Sequence, residues 1–350
     1  MTEFRRENMR VKAWILAILM VAATVLTACS KQEEPEEVFS EVSIVSDLEQ
    51  VLAETYIDGV EMATGVVENE MHIIQEAMEA AIPDVLKPQA SSVLLKKNEK
   101  ARIDYSNTKD GYVMVLYDAE TSKRLKVQVK GPGGTTYTYN LYQGTWAVYP
   151  LTDGNGTYNI RIYQNVSGDQ YALVMGLECD VELEDEFAPF LRPNQYVNFT
   201  KDSAVVAKAW ELTKSIKEPL AKVEAVYDYV IHNMTYDDHR AATVKSGYIP
   251  DLDAVLEEKK GICFDYAALM TSMLRSQGIP CKMVFGYAGS LYHAWISVWT
   301  EETGWVDGAI FFDGTTWQRL DPTFAASANG DQGIIDYINN SKNYKDKYLY

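Results

Sequence analysis

The chain is poor in cysteine, histidine and positive charge. Its 350 residues hold 4 cysteines and 4 histidines, and 32 Lys and Arg against 50 Asp and Glu leave a net charge of −18. So few cysteines do not make a disulfide scaffold. The shortage of Lys and Arg excludes nucleic acid as a partner, because phosphate neutralisation needs them in clusters. No second ligand stands at metal spacing from His72, and no metal or other cofactor is implied. Asp153-Gly154-Asn155-Gly156 has a calcium-like look. It lacks the further ligands and the Glu at position 12 that an EF-hand loop needs, so a hairpin turn is expected there.

What is present starts with a leader. Arg5, Arg6, Arg10 and Lys12 make a basic segment before the apolar stretch Ala13 to Leu26, which is short for a membrane span. It ends in Leu26-Thr27-Ala28-Cys29, which resembles a bacterial lipobox. That resemblance implies cleavage after residue 28, acylation of Cys29, and a lipid anchor on the extracytoplasmic face of the cell membrane. Removing residues 1–28 takes away four basic and two acidic residues and leaves 28 against 48. Lipid rather than charge would then hold the protein at an anionic membrane. Residues 29–42 are polar, acidic and proline-containing, and read as a tether.

The middle divides by hydrophobic period. Residues 43–88 read as a helical segment, with Val45, Leu48, Val51 and Leu52 at helical spacing. Over 89–187 the period shortens. About seven short runs, among them Tyr112-Val113-Met114-Val115-Leu116-Tyr117 and Tyr158-Asn159-Ile160-Arg161-Ile162-Tyr163, are separated by turn clusters. They predict an all-β sandwich. Its many tyrosines are read as strand formers before they are read as a sugar-binding face. Ala188 to Asn198, with Pro189 and Pro193, is a linker. Two amphipathic helices follow, the first capped by Asp202 or Ser203 and the second over Ala221 to Asn233.

The candidate chemistry lies at Gly261-Ile262-Cys263-Phe264-Asp265-Tyr266-Ala267-Ala268-Leu269. A glycine breaks the chain, and the cysteine then opens an apolar helix. Unpaired amides and the dipole at a helix start favour an anion, and a thiolate is the nucleophilic form of cysteine. His293 lies in an alternating strand, and Asp321 ends another at Pro322. A thiol needs a base, and the base needs an orienting acid. Cys281 and Cys179 are read as buried free thiols rather than a bridge. Asp265 is read either as a ligand for a substrate amine or as a helix-start acid. Trp295 is expected to pack beside His293.

Four blocks in order, Gly261-Ile262-Cys263-Phe264-Asp265-Tyr266-Ala267, Gly278-Ile279-Pro280 with Gly286-Tyr287, His293-Ala294-Trp295, and Leu320-Asp321-Pro322-Thr323, resemble the transglutaminase-like superfamily. The resemblance covers residues 200–325 and leaves 326–350 as a tail, whose Asn-, Lys- and Tyr-rich end, Tyr337 to Tyr350, is also open to forming a final edge strand. It implies an α+β, papain-like core in which the helix bearing Cys263 packs on an antiparallel sheet. It also implies Cys263 as nucleophile, His293 as base and acid, and Asp321 as orienter. Family members often use an oxyanion donor upstream of the cysteine. Here Glu257 stands at the spacing where papain has Gln, and Tyr248 is the candidate. The substrate would be a peptide or protein outside the cytoplasm, with the cell wall one setting for it. Three activities stay open: an amidase, peptidase or acyltransferase working through a thioester; a protein-crosslinking transglutaminase; and an inactive scaffold whose β-sandwich binds cell-wall or protein partners.

Overall fold

Eight strands between Leu95 and Val181 make the β-sandwich. The first sheet holds β1 (Leu95–Lys97), β2 (Ala101–Asp104), β3 (Tyr112–Tyr117) and β6 (Ala147–Pro150). The second holds β4 (Leu125–Lys130), β5 (Thr136–Leu141), β7 (Gly156–Ser167) and β8 (Gln170–Val181). Their orders are β1-β2-β3-β6 and β5-β4-β7-β8, with every pairing antiparallel. Alternate residues of the second sheet, Val127, Val129, Ile160 and Ile162, meet Ile103, Val113 and Val115 of the first in one buried cluster. The computed structural model describes residues 82–307, 310–312, 317–319, 323 and 343–350. The leader, Cys29, the tether and most of the 43–88 helical segment lie outside them. All the described residues belong to one unit, Ile73–Tyr350.

Two expectations change here. Asp153-Gly154-Asn155-Gly156 is a turn, but it joins β6 in one sheet to β7 in the other, so it is a crossing and not a hairpin. The carboxylate of Asp153 accepts from the Tyr137 hydroxyl at 2.6 Å, and its backbone N–H donates to the Tyr158 hydroxyl at 2.9 Å. Its side chain also occupies the space above Gly131, where a Cβ would meet it at 2.4 Å. The turn residues serve the corner of the sandwich. The second change is β1, whose Leu-Lys-Lys has no alternation to mark it as a strand and is held by pairing with β2.

Many tyrosines of the sandwich strands are interior. Tyr139, Tyr149 and Tyr158 are fully buried and Tyr137 nearly so. Tyr137 and Tyr139 meet Tyr350 edge-on, with ring centroids 5.5 and 5.7 Å apart. Aromatic pairs of this geometry add directional packing to plain burial. The linker adds a second attachment. The Gln195 side chain accepts from Asn140 N at 2.9 Å and donates to Asn140 O at 2.7 Å. One amide thus supplies the two bonds that a neighbouring strand would give to edge strand β5, and covers that edge.

Beyond the linker the chain is mostly helical until residue 276. The helices are α1 (Ala204–Thr213), α2 (Pro219–Asn233), α3 (Asp238–Thr243), α4 (Leu252–Glu258) and α5 (Cys263–Ser276). Residue 203 is the N-cap of α1 as expected, though its side chain makes no capping bond. Every residue of α5 from Asp265 to Ser276 is buried. A helix apolar on one stripe needs one partner layer, whereas a helix buried all round needs several. Its partners are α1, α2 and α4, and a sheet. That sheet contains β11 (Cys281–Ala288), β12 (Leu291–Thr300), β13 (Gly304–Asp307) and β16 (Tyr344–Leu349), in the antiparallel order β13-β12-β11-β16. Two small pairs lie apart from these sheets: β9 (Thr235–Tyr236) with β10 (Lys260–Gly261), and β14 (Ile310–Phe312) with β15 (Trp317–Arg319).

The edge strand β16 lies in the segment read as a tail. It pairs with β11 through a register shift at Phe285/Gly286. Gly286 permits the close approach, since a Cβ there would lie 2.1 Å from Lys345 O and 2.6 Å from the Trp295 ring. The sheet on which α5 rests therefore draws a strand from beyond residue 325.

Candidate active site

Cys263 is the first residue of α5 and is half-buried. The chain arrives through β10, which pairs in parallel with β9, and α4 ends just before it on Lys259 in the left-handed conformation. Gly261 is needed in this approach, because a Cβ there would stand 2.5 Å from Asp265 Cβ. The result is a helix start fixed on a short β-bridge, with its first amides outside the helical hydrogen-bond ladder.

Asp265 fastens that start. It is fully buried, and its Oδ2 accepts from Ile262 N at 2.8 Å, the reach-back of an N3 acid to the N-cap amide. Tyr248 donates its hydroxyl to Asp265 Oδ1 at 2.7 Å, and Arg240 Nη1 lies 3.3 Å from Oδ2. Arg240 also bonds Glu258 at 2.8 Å. Burial pushes the Asp265 carboxyl up, while Ile262 N–H, Tyr248 and Arg240 pull it down. Of the two readings of Asp265, the structure displays the helix-start acid, with both oxygens engaged inside the protein. Tyr248, the candidate oxyanion donor, directs its one hydroxyl hydrogen at this carboxylate. Arg240 was not singled out in the sequence, and no local pattern marks it, since it stands 25 residues before its partner.

Removing the Asp265 carboxylate leaves Ile262 N–H, Tyr248 O–H and a partly buried guanidinium without it. Asp265→Ala is therefore expected to lower stability by about 2–4 kcal/mol. Asp265→Asn keeps an acceptor and should cost less. Urea midpoints of the two variants check this, and equal midpoints would remove the capping argument.

His293 lies on β12, opposite Gly286 of β11, and is buried. Its ring centroid is 6.3 Å from that of Trp295, the expected neighbour. Strand alternation gives His293 the face of Trp295. Tyr292 falls on the other face with Ala294, and its ring stacks on Phe285 at 5.8 Å. Phe285 in turn meets Phe264, the residue after Cys263, at 4.9 Å. Cys263 and His293 sit on elements that pack together, α5 and β12. Ala294, Ile296 and Val298 of β12 share the buried cluster of α5, so strand alternation puts Tyr292, and not His293, on the helix-side face. Asp321 lies outside the described residues.

The other two described thiols are not poised for chemistry. Burial pushes Cys281 and Cys179 each up to about 11. Both are free, as expected; Cys281 is buried, but Cys179, near the end of β8, is only half-buried. Among the described residues no group of three or more His, Cys, Asp and Glu is placed to hold a metal ion.

With this geometry in view the relatives can be placed. Residues 207–322 match the model of the transglutaminase-like superfamily. Over that stretch the chain resembles the transglutaminase-like superfamily. The match takes in α5, the β11–β12 pair and the position of Asp321. An uncharacterized protein, YebA of Bacillus subtilis, is 32% identical over 119 residues, which make 28% of this chain and 16% of that protein. A protein-glutamine gamma-glutamyltransferase of Pseudomonas aeruginosa is 27% identical over 154 residues, 39% of this chain and 21% of its own. The solved transglutaminase of red sea bream shares 13% identity and a TM-score of 0.28, over 65% of this chain and 53% of that one. The chain spans less than a quarter of the length of those two curated relatives. The matched stretch is α+β, with a buried helix against an antiparallel sheet, as its sequence resemblance implies.

Proposed function

We propose that the protein is a cysteine acyl-transfer enzyme that cleaves amide bonds outside the cytoplasm. The observation that carries this is the contrast among its described thiols. Only Cys263 opens a helix, while Cys179 lies within strand β8 and Cys281 is buried at the start of β11. His293 takes the thiol proton and the thiolate attacks the amide carbon. The C–N bond breaks, the imidazolium returns its proton to the departing amine, and a thioester remains on Sγ. Asp321 holds the imidazole tautomer. The backbone N–H of Cys263 stabilises the oxyanion, and Tyr248 joins it only by giving up Asp265. Water is the default acceptor and gives hydrolysis; an amine would give a new amide.

The test uses the full chain in detergent with a glutamine-containing peptide, with and without a labelled amine. Ammonia release without amine incorporation is expected. Incorporation of the label would replace hydrolysis by crosslinking, and neither product would sink the enzyme reading. The location is part of the proposal. No helix among the described residues is long and apolar enough to cross a membrane. Acylation of Cys29 would supply the attachment, read as fatty-acid label in the protein that is lost in Cys29→Ala.

A further inference from the structure

The β11–β12 hairpin exposes more apolar surface than folding requires. Ten large apolar side chains are exposed among the described residues, and three of them, Tyr287 at 38%, Leu291 at 53% and Tyr292 at 48%, stand on this one hairpin. The turn between its strands is Gly289-Ser290, and Tyr292 directly precedes His293. Tyr287 and Tyr292 are cross-strand partners, with ring centroids 5.6 Å apart at 66°. The inner side of the Tyr292 ring lies on Phe285 at an interplanar angle of 15°, and Phe285 rests on Phe264. The ammonium of Lys347 stands 6.0 Å from both tyrosine ring centroids. The exposed rings are therefore backed by a packed aromatic stack that begins beside the nucleophile, with a cation at the rim. A rigid apolar surface of this kind has little ordering entropy left to lose when a ligand covers it.

We infer that Tyr287 and Tyr292, cross-strand partners on one face of the hairpin, form the specificity wall of the acyl-donor site and take a large apolar side chain, aromatic or aliphatic, flanking the amide that reacts at Cys263. This rests on the proposed role of Cys263 and deepens it by naming the substrate class, a peptide with such a side chain. The wall is tied to the thiol through Phe264, the residue after Cys263, whose ring meets Phe285 beneath Tyr292. Burial first, then Tyr348, Tyr287 and Cys263, push the Tyr292 hydroxyl up to about 12. A peptide whose amide carbon lies on Sγ has its neighbouring residue within a few ångströms, because successive Cα atoms are about 3.8 Å apart. On the α5 side of β12 that neighbour meets Tyr292 first.

Binding is measured on the full chain carrying Cys263→Ala, in detergent, by calorimetry with two blocked glutamine peptides that differ only in Phe or Gly beside the glutamine. The Phe peptide is expected to bind on the order of tenfold more tightly, the discrimination usual for an apolar pocket. Tyr292→Ala, at a half-exposed position, should remove most of that difference, Leu291→Ala, on the opposite face of β12, should leave it, and Tyr292→Phe should keep it. Equal affinities, no binding of either peptide, or an undiminished difference in Tyr292→Ala would overturn the wall. Because the thiol is absent, the result is independent of turnover. Selective binding together with unaltered activity in Cys263→Ala would leave the wall standing and remove the mechanism.

Discussion

Cys263→Ala is expected to abolish turnover, and His293→Ala to reduce it by a factor on the order of 10⁴ or more, with little further loss in the double variant. Groups that act as a unit lose most of their effect when any one is removed, and the losses do not add. The same thiol should dominate alkylation. A thiol held near 11 is about one part in 10⁴ thiolate at pH 7, which describes Cys179 and Cys281. Limiting iodoacetamide at pH 7 should therefore label Cys263 and leave those two unmodified, as read by peptide mass mapping. His293→Ala should slow that labelling if the imidazole takes the proton. An equal rate in His293→Ala, or equal labelling of all three thiols, would contradict the assignment.

The largest structural effect is expected at Arg275, in the last turn of α5. Its side chain is buried, and each of its three nitrogens donates to a backbone carbonyl. Nε bonds Cys281 O at 2.9 Å, Nη1 bonds Arg192 O at 2.7 Å, and Nη2 bonds Tyr350 O at 2.6 Å. One guanidinium thus fastens the helix to the start of β11, to the linker and to the last residue of the chain. Burial pushes it down to about 10, which leaves it charged at neutral pH. Its planar fork of donors satisfies three backbone acceptors at once, two of them in fully buried bonds. Arg275→Ala removes the charge and leaves those carbonyls short of a partner, so a loss of about 3–5 kcal/mol is expected. That is a large share of a domain stability of about 5–15 kcal/mol. Arg275→Lys keeps a charge but has no fork, and should fall between. Urea denaturation of the three proteins orders them, and an Arg275→Ala midpoint equal to that of the parent would refute the clasp.

The order of these effects follows from what a chain encodes locally. Val223, Val226, Tyr227 and Val230 repeat at helical spacing, and they are the buried face of α2. Tyr112 to Tyr117 is apolar throughout because β3 is covered on both faces. The apolar segment after Cys263 marks α5, and Gly261 marks its entry. Each of these signals is complete within one element, so the period alone carries it. The fold class and the position of the candidate nucleophile were legible for this reason.

The remaining features depend on residues distant in sequence. A final edge strand is open to the sequence near the end of the chain, but that β16 pairs with β11, through a register shift at Gly286, is set by residues far apart in sequence. Asp153-Gly154-Asn155-Gly156 has the composition of a turn, yet which strands it joins depends on the pairing of β6 with β3 and of β7 with β4. Arg240 and Tyr248 become partners of Asp265 only when α3 and the loop after it come to lie against the start of α5. Arg275 looks like an ordinary basic residue at a helix end until three carbonyls from separate segments converge on it. The apolar wall beside Cys263 requires β11 and β12 to pair in one register, with Tyr287 opposite Tyr292. Periodicity specifies which face of an element is buried. What that face meets is decided by the tertiary structure, because burial and hydrogen-bond satisfaction are properties of the whole packed chain.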